Sequence, residues 1–296
     1  MRMPKSFLDI SWASASAEVM MARRWAMYLR FSIGLLFALC YSAEMTNGQG
    51  SYSEHAIISE SGATIRLVAN DARPLMQALT ALQQKYGWRV NYEDPQYISQ
   101  LDLVEAKGLQ DKSFYPNGQH RVPSGGSFVV EFGAGSAANI APDEKKTLQQ
   151  LVDSYNRSGN PGRFEFREGR PEQIFDVVGT AAHDNQGRIS QQQVLLDLPV
   201  TLDSEDRTFS DTVDLICQKI AEKSHAKITF GVHPLSLDRA HVTVGGKDLS
   251  ARSYLFRSME STNRKLYWRL LFDPDSNSYF LNVHQVAPVI KSPAAK

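Results

Sequence analysis

The chain has 296 residues, with 32 Lys and Arg against 32 Asp and Glu, 42% apolar residues and 2 Cys. The apolar share supports a packed core and excludes wholesale disorder, and zero formal net charge excludes the basic excess of a general nucleic-acid binder. Two cysteines exclude a disulfide-stapled scaffold and any cysteine-rich metal site.

The first elements read as an export segment. Arg23, Arg24 and Arg30 precede the uncharged run Phe31–Cys40, and the small residues Ser42 and Ala43 follow it. Basic, apolar and small-residue regions in that order make a secretory signal. The uncharged stretch to Ala43 is 13 residues, short of the roughly 20 a spanning helix needs. Cleavage near Ser42 or Ala43 and a periplasmic or secreted product are therefore expected, with a signal-anchored form as the alternative. The mixed-charge stretch before Met20 and Met21 has no place in a signal and suggests a start at one of those methionines. Leu39 before Cys40 is not the small residue of a lipidation site. Without residues 1–42 the chain carries 27 basic and 30 acidic residues, net −3, which disfavours nucleic acid and anionic lipid as partners. Oligomeric state stays open.

After a linker at 44–62, a first module is expected over 63–182. Ala63–Val68 is a β-like run, and Ala72–Tyr86 an amphipathic helix with Leu75, Met76, Leu79 and Leu82 on one face. Asp71 is its expected cap, Pro74 suits its first turn and Gly87 its end. Trp88–Tyr92 alternates as a half-buried strand. A loop insertion over 97–125 carries Tyr97, Phe114 and Tyr115 among polar residues; exposed aromatics of this kind are expected to anchor a partner. Ser127–Phe132 is a strand, a helix displays Leu148, Leu151, Val152 and Tyr155, and Arg163–Arg167 and Ile174–Val178 are strands.

A linker at 183–194 leads to a second module over 195–286 with the same order. Pro199–Ser204 is β-like, Ser210–Ser224 carries an apolar stripe including Cys217, and Lys227–Phe230 is a strand. His241–Val244 is a strand, Ser250 caps a helix, and Leu266–Phe272 and Tyr279–Val283 form a hairpin across Asp273–Asn277. Residues 287–296 read as a frayed tail. The expected fold is thus α+β, two pseudo-repeated β-α-β/β-α-β-β modules of small mixed sheets with helices on one face.

The stretches Ile65–Tyr92 and Val200–Phe230 resemble the short N-terminal domain shared by secretins and TonB-dependent receptors. The likeness covers about 30 residues at the head of each module and is a pattern of residue types. It implies an envelope protein as partner and supplies no catalytic residue. The pore and barrel that follow this domain in those families have no room here.

Other patterns favour structural readings. Gly133–Ala138 matches G-x-G-x-x-A, but Pro142 and Asp143 separate it from the next helix, so a small-residue loop is expected rather than a dinucleotide site. Asp273, Asp275 and Asn277 have calcium-loop spacing without the required Gly and Glu. His225, His233 and His241 lack metal-ligand spacing. His183–Asp184 lies in an expected loop and no G-x-S-x-G elbow is present. The aromatics Tyr254, Phe256, Tyr267, Trp268, Phe272, Tyr279 and Phe280 read as packing. No catalytic, cofactor-binding or metal-ligating residue is assigned. The leading expectation is an exported non-enzymatic docking module of the cell envelope. The alternatives are an exported hydrolase with its site between the modules and a self-assembling structural protein.

Overall fold

The computed structural model describes residues 56–106, 120–133, 141–169 and 174–287, all within the compact unit Gly50–Lys296. The fold is α+β. Its first part contains β1 (Ile57–Ser61), β2 (Thr64–Asn70), α1 (Pro74–Tyr86), β3 (Val90–Glu93), β4 (Leu103–Glu105) and β5 (Arg121–Pro123). It continues with β6 (Ser127–Gly133), α2 (Glu144–Arg157), β7 (Arg163–Glu168), β8 (Phe175–His183) and β9 (Ile189–Gln191). The second part contains β10 (Pro199–Thr208), α3 (Phe209–Ser224), β11 (Lys227–Phe230), β12 (His241–Ser250), α4 (Ala251–Ser261), β13 (Leu266–Asp273) and β14 (Ser278–Gln285). No helix among the described residues is long and apolar enough to cross a membrane.

Local chemistry explains these boundaries. Gly87 closes α1 with φ 72°, in the left-handed region where only glycine is unstrained. The expected Asp71 cap is corrected: Arg73 is the N-cap, and the Asp71 carboxylate accepts the Arg73 N–H at 2.7 Å one step before the helix. Asp143, Thr208 and Ser250 each cap the following helix through a side-chain oxygen.

The two parts use corresponding pairings. β2 with β6 and β10 with β12 are antiparallel. β3 with β8 and β11 with β14 are parallel. β7 with β8 and β13 with β14 are antiparallel. The parts do not close separate sheets, however. A further parallel pairing of β13 with β3 fuses them into one sheet of order β11-β14-β13-β3-β8-β7, with β9 on β8.

Side-chain alternation places helices on both faces of that sheet. Val90, Tyr92, Phe164 and Val177 join α1 and α2 in one core with Leu79, Leu82, Leu148 and Leu151. Trp268, Leu270, Leu281 and Val283 join α3 and α4 in a second core with Val213, Ile216, Leu255 and Met259. A fully buried side chain of this type contributes roughly 1.5–3 kcal/mol. Cys217 is a buried thiol in the second core, and burial pushes its pKa upward.

Three segments expected to be linker or loop hold structure. Residues 44–62 contain β1, whose hairpin with β2 turns at Gly62. Residues 183–194 contain β9, paired with the end of β8. The insertion contains the β4–β5 pair and a one-turn 3₁₀ helix, Gln100–Asp102. The tail from 288 lies outside the described residues.

Candidate functional site

Two features of the shared sheet bear on function: the polar seam where the parts meet, and the sheet's two edges.

The seam is built on alternate residues of β3. Val90 and Tyr92 face the first core, so Asn91 and Glu93 face the second part. Arg252 of α4 reaches Glu93 through Nη1 and Nη2, Asp176 at 3.2 Å and Asp197 at 2.9 Å. Trp268 Nε1 donates to Glu93 at 3.1 Å, and the Trp268 backbone N–H donates to Asn91 Oδ1 at 2.9 Å. Burial pushes the Glu93 and Asp176 carboxyl groups up from their ordinary range, while Arg252 opposes the rise. Burial also works against Asp197, but Arg252 and Arg167 outweigh it and hold Asp197 low. A second knot joins Arg73 to Asp94 at 2.7 Å and to the Phe272 carbonyl at 2.6 Å. Asp94 also accepts the Tyr92 hydroxyl and the Phe272 N–H.

A cleft of about 490 Å³ lies against the seam, lined by Arg167, Asp176, Asp197, Arg252, Ser253 and Phe256 among others. This is where a hydrolase site between the modules would sit. Several of its groups are already committed: Ser253 Oγ to Ser250 Oγ, Arg167 to Glu165 and Asp197, and Arg252 to three carboxylates. No base is bonded to the Ser253 hydroxyl among the described residues, which a nucleophilic serine requires.

The histidines form clasps. Ser210, His233 and Asp238 are the residue types of a catalytic triad. Such a triad places carboxylate and serine on opposite ring nitrogens. Here Asp238 Oδ1 at 2.6 Å and Ser210 Oγ at 3.2 Å share Nε2, Ser210 donates to the same Asp238 oxygen, and Nδ1 faces the Gly231 carbonyl. The group ties the start of α3 to the loop after β11. His183 pairs with Asp102, not with its neighbour Asp184: Nδ1 lies 2.7 Å from Oδ1 and the backbone N–H donates to Oδ2. Asp184 instead holds Arg188. This clasp fastens the 3₁₀ turn of the insertion to β8. His225 is the left-handed end of α3, and His241 meets Asp206 at 3.1 Å.

The turn after β13 is a hairpin, as its composition implied, with Asn277 at φ 48°. His120, Asp273 and Asp275 bring possible ligand atoms within 4.8 Å of one another. Arg121 already meets Asp275 through both backbone and guanidinium nitrogens, so a cation there faces a positive neighbour. Residues 134–138 of the glycine pattern lie outside the described residues.

Of the three aromatics named as partner anchors, Tyr97 is corrected. It is 2% exposed and belongs to the second core, and burial drives its hydroxyl pKa well up. Gly162 and Pro95 crowd in beside it, so a side chain that looked polar-flanked in sequence fills a gap behind the sheet. Phe114 and Tyr115 lie outside the described residues.

The sheet's two edges differ. At β7 the Asn156 amide from α2 donates to the Phe164 carbonyl at 2.8 Å and accepts its N–H at 2.9 Å, copying the bonds a neighbouring strand would make. At β11, Gly231 donates to Leu281 on β14. By strand alternation Lys227 and Thr229 also bond toward β14, and Ile228 and Phe230 turn their N–H and C=O groups outward. Among the described residues, nothing outside the β11–β14 ladder bonds the backbone of Lys227–Phe230. Lys227 and Thr229 are exposed on this edge strand. Periodicity located β11 but could not reveal that it ends the sheet.

No family model, curated protein or solved structure matches the chain.

Proposed function

We propose that the protein is an exported, non-enzymatic docking module of the bacterial cell envelope, which captures an extended segment of an envelope protein on its sheet edge. The observation that carries this reading is the outer side of β11: Asn156 caps Phe164 on β7, whereas the outward backbone groups of Ile228 and Phe230 have no partner among the described residues. An open edge supplies main-chain hydrogen bonds to an added strand, and side-chain pockets supply selectivity. The basic and apolar N-terminal run supports export. The resemblance of the head of each part to the short N-terminal domain of secretins and TonB-dependent receptors supports an envelope partner. The clasped histidines and committed cleft groups favour docking over hydrolysis.

The test is crosslinking followed by capture from envelope fractions, with the full protein tagged at its C-terminus. Stoichiometric recovery of one envelope protein is expected. Recovery of the bait alone, together with turnover of an ester or peptide substrate, would overturn the proposal in favour of the hydrolase.

A further inference from the structure

The open edge of β11 has an occupied counterpart in the same chain. β3 follows α1 through the left-handed Gly87 and runs parallel to β8; β11 follows α3 through the left-handed His225 and runs parallel to β14. Superposing the two caps sets Val90 against Ile228, Tyr92 against Phe230, Arg89 against Lys227 and Asn91 against Thr229. On β3 the side facing away from β8 is filled by β13. It lies parallel, with Tyr92 opposite Arg269 and Glu93 opposite Leu270.

The first part grips every second residue of that strand. Arg89 Nε donates to the Leu266 carbonyl. Asn91 Oδ1 accepts the Trp268 N–H, and the Asp94 N–H donates to the Leu270 carbonyl at 2.8 Å. The Asp94 carboxylate accepts the Phe272 N–H, and Arg73 donates to the Phe272 carbonyl. Residues 266, 268, 270 and 272 are thus each held.

A second copy of the chain would have to offer β7, the counterpart of β13. The position matching Trp268 is Phe164, and both of its edge-facing groups are taken by Asn156. The helices of the two parts lie on opposite sheet faces, so repeating the β3–β13 junction between copies would build an open fibre rather than a closed dimer. Asn156 therefore keeps a second copy from repeating the junction at the position of Trp268.

We infer that the β11 edge receives a parallel β-strand from a different protein, an extended segment with side chains alternating between the sheet's two faces. The inference rests on the docking reading and adds its direction and chemistry. Lys227 stands where Arg89 stands in the filled junction. Its ammonium therefore meets a carbonyl or carboxylate near the amino-terminal end of the incoming strand. Thr229 offers a hydroxyl where Asn91 offers an amide.

The test places a photo-crosslinking amino acid at Lys227 or at Thr229, one at a time, in the full exported chain within its own cell envelope. Val129, exposed on β6, is the off-edge control. Both edge positions are exposed, so neither replacement disturbs a core. The expected result is capture of one partner segment from both edge positions. The residue joined to position 229 should lie about two residues C-terminal to that joined to position 227. The reverse order would mean antiparallel addition and would overturn the inference while the docking reading stands. Capture of β7 from a second copy, or capture from position 129 alone, would also overturn it. Absence of adducts at all three positions would remove both the inference and the docking reading.

Discussion

Replacing Arg252 with Met removes the one side chain that binds Glu93, Asp176 and Asp197 together. Asp197 keeps Arg167, but Glu93 and Asp176 are left as buried carboxylates, 2% exposed each. Breaking a buried ion pair from one side costs about 3–5 kcal/mol, because the remaining charge is uncompensated. The loss depends on pH in a defined direction. Burial already raises both carboxyl pKa values, and losing Arg252 removes the main opposing influence. The folded variant then binds more protons than its unfolded chain, so its stability rises as pH falls toward the carboxyl range. Urea unfolding followed by tryptophan fluorescence at pH 7.5 and pH 5 measures this, with Trp268 beside the seam as reporter. Arg252→Met should lose about 3–5 kcal/mol at pH 7.5 and clearly less at pH 5. Adding Glu93→Gln should recover about 1 kcal/mol or more at pH 7.5, since the two residues are in contact. A loss below about 1 kcal/mol, or an equal loss at both pH values, would refute the view that this arginine neutralises a buried seam.

Other substitutions probe separate parts of the account. Asn156→Ala uncovers both edge-facing groups of Phe164. It should cost about 1–3 kcal/mol and produce larger species than the parent by light scattering at matched concentration; an unchanged mass would show that the cap on Phe164 is not what keeps copies apart at that edge. Gly179→Ala would place a Cβ 2.3 Å from the Pro95 ring and backbone and 2.9 Å from the Asp94 carbonyl carbon, so thermal unfolding should show a loss of about 1–3 kcal/mol, whereas a loss near zero would contradict the close approach of β8 to the end of β3. Burial, aided by Arg269, lowers the His284 pKa to about 4, so its imidazole is neutral in the fold and the protein loses stability as pH falls through 6.5 toward 4. His284→Phe should be spared about 2–3 kcal/mol of the parent's loss between pH 7 and pH 4.5, and parallel losses in both proteins would argue against a half-buried neutral imidazole. Cys217 should resist thiol reagents until the protein unfolds, and prompt labelling under native conditions would contradict its burial.

Sequence periodicity located the elements well where each sits on one apolar face. Lys227–Phe230 is bounded as expected, and α1 ends at Gly87, which adopts the left-handed turn without strain. β1 escaped because Ile57-Ile58-Ser-Glu-Ser offers just two apolar residues, and its pairing with β2 supplies the rest. The shared sheet was not legible, since β3 and β13 are far apart in the chain and their pairing covers two residue pairs. The same distance hid the seam. Asn91 and Glu93 alternate with Val90 and Tyr92 and read as a solvent face, and only the arrival of α4 and β13 buries them. Tyr97 was misread for the converse reason: its neighbours in sequence are polar, but its neighbours in space are the core. An edge strand's free side is a property of the whole sheet, so no local pattern on β11 announces it.

Docking on the β11 edge is read most plainly by amide hydrogen exchange on the full protein, alone and bound to any envelope protein recovered by capture. In the free protein the amides of Ile228 and Phe230 should exchange far faster than those of Tyr279 and Leu281 inside the same sheet, and binding should slow them to the rate of interior strands. Unchanged exchange at Ile228 and Phe230 on binding, with protection appearing elsewhere, would contradict docking on the β11 edge.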